Sequence, residues 1–289
     1  MPAARAPHDL IDQILAFDPG HRAIAALMRS GAADAAARAL RRARRVLIVT
    51  GFTVERGTPE TDGPPGAAVL GRALRALGAD VHYVIDRVNL APLRAVLDTL
   101  GEPADVSVYP DGAGAARAVL AAARPTHLVA IERPGRNRGG DYLNMRGESV
   151  AAWNAPLDAL FLERSRATTI GIGDGGNEIG MGVARRKVAR LGRLQARIAS
   201  VVPVDHLVVA GVSNWGGYGV VAALSRLARR ELLHSPELEG RLIEACVAAG
   251  AADGVTRRHE PTVDGVPLAV HAAVVELLRW AARSGIIPA

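Results

Sequence analysis

The stretch "TTIGIGDGGNEIGMG", Thr168 to Gly182, decides how the chain folds. It opens as a short apolar run led by two threonines and closed by an aspartate, the composition of a strand buried inside a sheet. It then becomes bare: from Gly171 to Gly182 six of twelve residues are glycine. Glycine tolerates φ > 0 and lets backbone approach a ligand closely. The same loop carries Asp174, Asn177 and Glu178, and those acids would repel a phosphate. A strand that ends in an acidic, glycine-rich loop is the unit to look for elsewhere.

The unit recurs. "RRVLIVTG", "DVHYVID", "DVSVYP", "THLVAIE" and "DHLVVAG" read as buried strands, and between them lie alanine- and leucine-rich helical stretches such as "AAVLGRALRALG", "GAARAVLAAAR" and "GYGVVAALSRLARRELL". Strand and helix in alternation predict an α/β fold: a doubly wound, mostly parallel sheet with helices on both faces. Residues 1–43 form an N-terminal helical extension, and the chain from about 235 is mainly helical around a polar insertion, "ADGVTRRHEPTVDGVP". With 289 residues and no low-complexity linker or internal repeat, residues 1–289 read as one domain. Hydrophobic residues make up 49% and aromatics only 3%, so the core is built from Ala, Val, Leu and Ile.

Composition narrows the function. The net charge is +6 and Lys187 is the only lysine, but the arginines are scattered among acids and alanines rather than gathered in a stripe. That pattern argues against a nucleic-acid partner. Cys246, in the apolar "LIEACVAAG", is the single cysteine, which excludes a disulfide framework and a cysteine metal cluster. There is no apolar span of about 18 residues and no apolar leader at the N-terminus, so a cytoplasmic protein without a membrane partner is expected. The alanine-rich helices either cover the sheet or pair with another subunit, so a homo-oligomer stays open.

The polar loops mostly follow the carboxyl ends of the predicted strands, where ligands bind in open α/β sheets. Gly171, Gly173 and Gly176 match G-x-G-x-x-G, but the match lies on about the fifth strand. No acid ends a strand about 20 residues later, and Asp174 would face the pyrophosphate, so no nucleotide cofactor is expected. Asp174 and Glu178 instead supply hard oxygen ligands suited to Mg²⁺ or Mn²⁺, or a site for an ammonium group. If a helix starts near Gly176, the alternative is that Asp174 or Asn177 caps it. "ETDGPPGA" adds Glu60 and Asp62, although Asp-Gly-Pro-Pro is also turn chemistry and Thr61 or Asp62 could cap the next helix. In "ERPGRNRGGDYLNMRGE", Glu132 follows an apolar strand directly and suits a metal ligand or a base, while an arginine can grip a carboxylate in bidentate fashion. "GVSNWGGYG" lacks the last glycine of a hydrolase elbow, Trp215 standing in its place, so Ser213 and Asn214 read as substrate hydrogen-bonding groups or helix caps. The eight histidines form no H-x-x-x-H pair. Asp253 and Asp264 are turn residues or further ligands.

Taken together, "ETDGPPGA", "IERPGRNRGGDYLNMRG", "GIGDGGNEIGMG", "GVSNWGGYG" and the late "DGVT…TVDG" resemble the D-glutamate cyclase family, in the same order from about residue 45 to 270. The resemblance implies a hydro-lyase that condenses D-glutamate to 5-oxo-D-proline with loss of water. It implies Glu132, Asp174 and Glu178 as catalytic residues and holders of a divalent Mg or Mn ion. Glu60, Asp62, Arg133, Tyr142, Asn144, Asn177, Ser213 and Asn214 would bind the small-molecule substrate, with Arg133 clamping the α-carboxylate. A metal-dependent hydrolase of a phosphate or amide, and a non-catalytic small-molecule sensor, are the competing functions that the same crevice would serve.

Overall fold

The structure is a computed structural model that describes residues 9–55 and 57–284. Three helices come first: α1 (Leu10–Leu15), α2 (Ile24–Leu27) and α3 (Ala32–Leu40). Then follow β1 (Arg45–Thr50), the small hairpin β2 (Thr53–Glu55) and β3 (Thr58–Pro59), α4 (Pro64–Ala76), β4 (Asp80–Ile85), α5 (Leu90–Leu100), β5 (Val106–Val108), α6 (Ala115–Ala123) and β6 (His127–Ile131). The second half holds α7 (Ala159–Leu162), β7 (Thr168–Gly173), α8 (Arg185–Arg190), α9 (Arg193–Ile198), β8 (His206–Val209), α10 (Ser213–Ala228) and α11 (Pro236–Ala248). A second hairpin, β9 (Thr262–Val263) and β10 (Val266–Pro267), precedes α12 (Leu268–Ser284).

All six sequence-predicted strands are present and form one sheet in the order β5-β4-β1-β6-β7-β8. Every pair in it is parallel. Strand order therefore reverses between β1 and β6, and the loops after these two strands diverge to open a crevice at their carboxyl ends.

Side chains alternate between the two faces of a strand, so each face has its own core. Val46, Ile48, Val129, Ile131, Ile170 and Ile172 belong to the larger core, together with residues of α3, α4, α5, α10, α11 and α12. Leu47, Val49, Leu128 and Ala130 join a smaller core with Ala115 and Ala116 of α6 and Leu160 of α7. Helices cover both faces, but unequally. Among the described residues no helix is long and apolar enough to cross a membrane.

Two helices carry the floor of the crevice, and they cross closely because of glycine. A Cβ at Gly66 would lie 2.9 Å from the Asn214 Cα, and one at Gly217 would lie 3.0 Å from the Gly66 carbonyl oxygen. Their N-termini cap each other. Asn214 Oδ1 accepts from the amides of Gly63 (3.0 Å) and Gly66 (2.8 Å) of α4. Asp62, just before α4, accepts from the amides of Ser213 (2.9 Å) and Asn214 (2.8 Å), which open α10. Asp62 thus caps a helix, but α10 rather than α4. The orphan amides of a helix end are satisfied across the interface rather than within each helix.

One expected element is different. No helix starts near Gly176; the chain loops to a single 3-10 turn, Met181–Val183, before α8. Glu178 causes this. Its Oε1 accepts from the amides of Asp174 (3.0 Å) and Gly175 (2.5 Å), and its Oε2 from that of Gly176 (2.7 Å). Gly176 and Gly180 have φ of 102° and 103°, which a helix does not allow. Neither Asp174 nor Asn177 is a helix cap.

Candidate active site

The acids at the carboxyl ends of β1, β6 and β7 converge. A cavity of about 800 Å³ opens there, within the size range of small-molecule sites, lined among others by Arg22, Glu60, Glu132, Asp174, Glu178 and Asp264. Oxygens of Glu132, Asp174 and Glu178 lie within 4.8 Å of one another, and so do oxygens of Asp62, Asp174 and Asp264. Asp174, the residue closing β7, belongs to both groups.

Each acid is positioned by its own local chemistry. Glu132 directly follows β6 with a left-handed φ of 42°, and its Oε2 accepts the Ser213 hydroxyl at 2.5 Å. Asp174 Oδ2 accepts the Ser213 amide at 3.2 Å. Asp264 and Gly265 make the two-residue turn of the β9–β10 hairpin, with φ of 57° and 75°, the conformation that Asp-Gly favours in tight hairpins. That turn places Asp264 at the cavity. Glu60 is buried and its Oε1 has no hydrogen-bond partner.

So much buried negative charge shifts proton affinities upward. Burial, reinforced by Glu132, pushes Glu60 well above the usual carboxylate range. Burial does the same to Glu132, with repulsion from Glu178 and Asp62 added. Burial raises Asp174 well above its ordinary value despite the opposing pull of Arg22. Asp62 is raised to about 7, by burial first and Asp264 second, against the amides of Asn214 and Ser213. A carboxylate with a proton affinity near neutrality, as at Asp62, suits general acid–base work.

The counter-charge comes from the N-terminal segment, which sequence reasoning treated only as an extension. Arg22 Nη1 lies 2.7 Å from Asp174 Oδ1 and 2.8 Å from Asp264 Oδ2. Burial alone would lower its pKa, but these two acids raise it well above normal, so it stays charged. The one signal in the sequence is "DPGHR", turn chemistry within a stretch otherwise read as helical.

Of the expected site residues, Glu60, Glu132, Asn144, Asp174, Asn177 and Glu178 line the cavity. Asp62 and Ser213 stand behind it, bonded to its acids or to each other. Asn177 Nδ2 donates to the Leu143 carbonyl at 2.7 Å, which ties the two site loops together. Asn144 closes its own loop, accepting from the amides of Arg146 (2.9 Å) and Glu148 (3.0 Å). Asn214 is consumed by the helix crossing. Tyr142 does not line the cavity; its hydroxyl donates to Asp158 at 2.6 Å. Asp253 is a turn residue that accepts from Val255, Thr256, Thr262 and Gly265.

Arg133 is a correction. It is fully buried, and Nη1 donates to the Gly51 carbonyl (2.8 Å) and Asp86 Oδ2 (2.6 Å) while Nη2 donates to the Ala155 carbonyl (2.6 Å). A guanidinium spent on the loops after β1, β4 and β6 cannot clamp a substrate carboxylate; it braces the crevice wall. Arg133→Met will leave Asp86 buried without its ion-pair partner, held only by Asn89 and the Ala155 amide, a change that costs about 3–5 kcal/mol for buried ion pairs. Urea unfolding will show a lower midpoint; an unchanged midpoint with a raised KM would restore the substrate role.

A family model described as "D-glutamate cyclase-like, C-terminal" matches residues 11–279. Human "D-glutamate cyclase, mitochondrial" is 36% identical over 266 residues, 84% of this chain and 42% of that protein. The chain therefore spans well under two thirds of that relative. Among solved structures, an exopolyphosphatase-related protein from Bacteroides fragilis aligns with a TM-score of 0.40 at 12% identity, over 89% of this chain and 57% of that one. RecJ from Thermus thermophilus, in complex with Mn²⁺, aligns with a TM-score of 0.37 at 15% identity, over 87% of this chain and 26% of that one. The family match takes in every strand of the sheet and every acid of the cavity, and on it the chain belongs to the D-glutamate cyclase-like, C-terminal family.

Proposed function

We propose that the chain is a hydro-lyase that cyclises D-glutamate to 5-oxo-D-proline, with a divalent cation, Mg²⁺ or Mn²⁺, held on Glu132, Asp174 and Glu178. The choice of D-glutamate follows the name of the human relative. The observation that carries the reading is the convergence of Glu60, Glu132, Asp174, Glu178 and Asp264 on one cavity, with the Arg22 guanidinium paired to Asp174 and Asp264.

The residues fit a hard cation. The donor set is all oxygen, two triads of carboxylates share Asp174, and the unpartnered Glu60 Oε1 adds an acceptor in the same cavity. When bound, such an ion polarises a carboxylate and offsets the charge of a tetrahedral oxyanion.

The chain's own residues account for the rest. The acids attract the α-ammonium of the substrate. Glu132, held by the Ser213 hydroxyl and with its proton affinity raised by burial, takes one ammonium proton and frees the lone pair. The nitrogen then attacks the γ-carboxyl carbon. The new C–N bond closes the ring as one C–O bond breaks, and two of the three ammonium protons depart with that oxygen as water. Glu132 returns its proton to the leaving oxygen, so the enzyme ends as it began.

Proton NMR of D-glutamate with the protein and Mg²⁺ tests the reaction class. Conversion of the open-chain spectrum to that of the lactam supports it. An unchanged spectrum, with release of phosphate from generic phosphate esters instead, would replace it with the hydrolase.

A further inference from the structure

With Arg133 committed to the crevice wall, the α-carboxylate of an amino-acid substrate needs another cation. Three arginines line the cavity: Arg146 is exposed, Arg257 is paired with Glu55 and Glu148, and among the described residues Arg22 alone forms an ion pair with the acids of the cavity. It lies on the loop between α1 and α2, and that loop is fixed in place. Asp18 accepts from the amides of Arg22 (2.9 Å) and Ile24 (3.2 Å). Phe17 stacks on Trp215 with ring centroids 5.7 Å apart. Gly211 donates its amide to the Leu15 carbonyl at 2.9 Å, and a Cβ there would lie 1.8 Å from the Phe17 carbonyl oxygen. The loop backbone therefore rests directly on the turn before α10.

The residues on either side of Arg22 are strained. His21 and Ala23 have φ of 53° and 59°. Left-handed φ at a residue with a Cβ is unfavourable and persists only where surrounding contacts impose it. Here it accompanies a side chain turned inward. Nη1 is taken up by Asp174 and Asp264. Nε and Nη2 donate to no described residue, and Arg22 forms part of the cavity wall. A guanidinium pinned at one nitrogen, with its remaining edge open, presents the planar fork that matches a carboxylate.

We infer that Arg22 is the carboxylate receptor of this cavity, and that the Arg22–Asp174 pair is a template for an amino-acid head group. The α-carboxylate docks on the open edge of the guanidinium, and the neighbouring α-ammonium faces the acids. This assignment rests on the cyclase reading for the identity of the substrate. It makes Arg22 a specificity determinant: 4-aminobutanoate, which could close the same ring to 2-pyrrolidinone but has no α-carboxylate, is discriminated against.

The test uses the full chain in three forms: wild type, Arg22→Lys and Arg22→Met. Arg22→Lys keeps the charge on Asp174 and Asp264 but loses the fork, so it keeps the comparison valid if Arg22→Met fails to fold. Calorimetry is run with glutarate, 5-oxo-D-proline and 2-pyrrolidinone, and D-glutamate and 4-aminobutanoate turnover are measured in parallel. The wild type should bind the two carboxylates and not 2-pyrrolidinone. Arg22→Met should weaken that binding by about a hundredfold, the scale of a lost charge-assisted pair. Arg22→Lys should weaken it by about tenfold at an unchanged melting temperature, and the preference for D-glutamate over 4-aminobutanoate should collapse in both. Arg22-dependent glutarate binding without D-glutamate turnover would keep the receptor and remove the cyclase. Turnover with the same KM and carboxylate affinity in Arg22→Lys as in the wild type would overturn the receptor and keep the cyclase. No binding of either carboxylate by the wild type would also overturn it.

Discussion

Asp174→Asn abolishes ring closure, by about 10³-fold or more, and leaves the protein folded. The expected loss is large because Asp174 is shared by both oxygen triads of the cavity and is paired with Arg22. Asparagine keeps the shape and the acceptor for the Ser213 amide but removes the charge that would hold a cation and orient Arg22. Electrostatic positioning of this kind commonly contributes about 10²–10³ on its own, and general-base function is lost with it. Stability responds in the opposite sense. Asp174 is buried among other acids that raise its proton affinity, so removing its charge relieves repulsion. Arg22 keeps Asp264 as its partner. Product formation and thermal melting on the same sample decide the point. A melting temperature lowered by roughly 5 °C or more, about 3 kcal/mol in a protein of this size, would make Asp174 a structural residue.

The second large effect is on stability against pH. Protein stripped of divalent ions loses stability as pH rises from about 4 to 8, and added Mn²⁺ restores it at pH 8. The sign follows from linkage. Glu60, Asp62, Glu132 and Asp174 all bind protons more tightly in the folded state than unfolded. A group of that kind stabilises the fold fully below its unfolded pKa, and the contribution is lost as pH rises through its folded pKa. For Asp62 the window runs from 3.8 to about 7. A shift of that size corresponds to on the order of 4 kcal/mol. An ion that binds only the folded state returns about 2.7 kcal/mol at a hundred times its Kd. Denaturant midpoints at pH 5 and pH 8, with chelator and with Mn²⁺, report both. A stability that rises with pH in chelator would mean that the acids are compensated within the protein, and no cation would be needed.

The strands were legible because parallel strands buried on both faces are continuous apolar runs, which polar loops interrupt. The acids Glu132 and Asp174 were legible for the same reason: each directly follows such a run, and the sheet carries both to one edge. Arg22 was not. Its partners, Asp174 and Asp264, lie far along the chain, and only the packing of the α1–α2 loop on the turn before α10 brings them together. Arg133 and Tyr142 were read as substrate-binding because a polar loop residue can turn into the protein or into the cavity. The choice is made by Asp86 and Asp158, buried acids that need donors. The missing helix after β7 has a similar cause, since Glu178 accepts three backbone amides and holds the loop open as a cradle. Helix-start signals in a sequence do not distinguish an acid that caps a helix from one that replaces it.

The measurement closest to the central claim is chiral mass-spectrometric detection of 5-oxoproline after incubation of the wild-type protein with D-glutamate or L-glutamate, each with Mn²⁺ and with EDTA. The acid-lined cavity and its cation predict 5-oxo-D-proline from D-glutamate, lost in EDTA and regained with Mn²⁺. No product from D-glutamate under any condition would contradict the cyclase, and product undiminished by EDTA would contradict the cation.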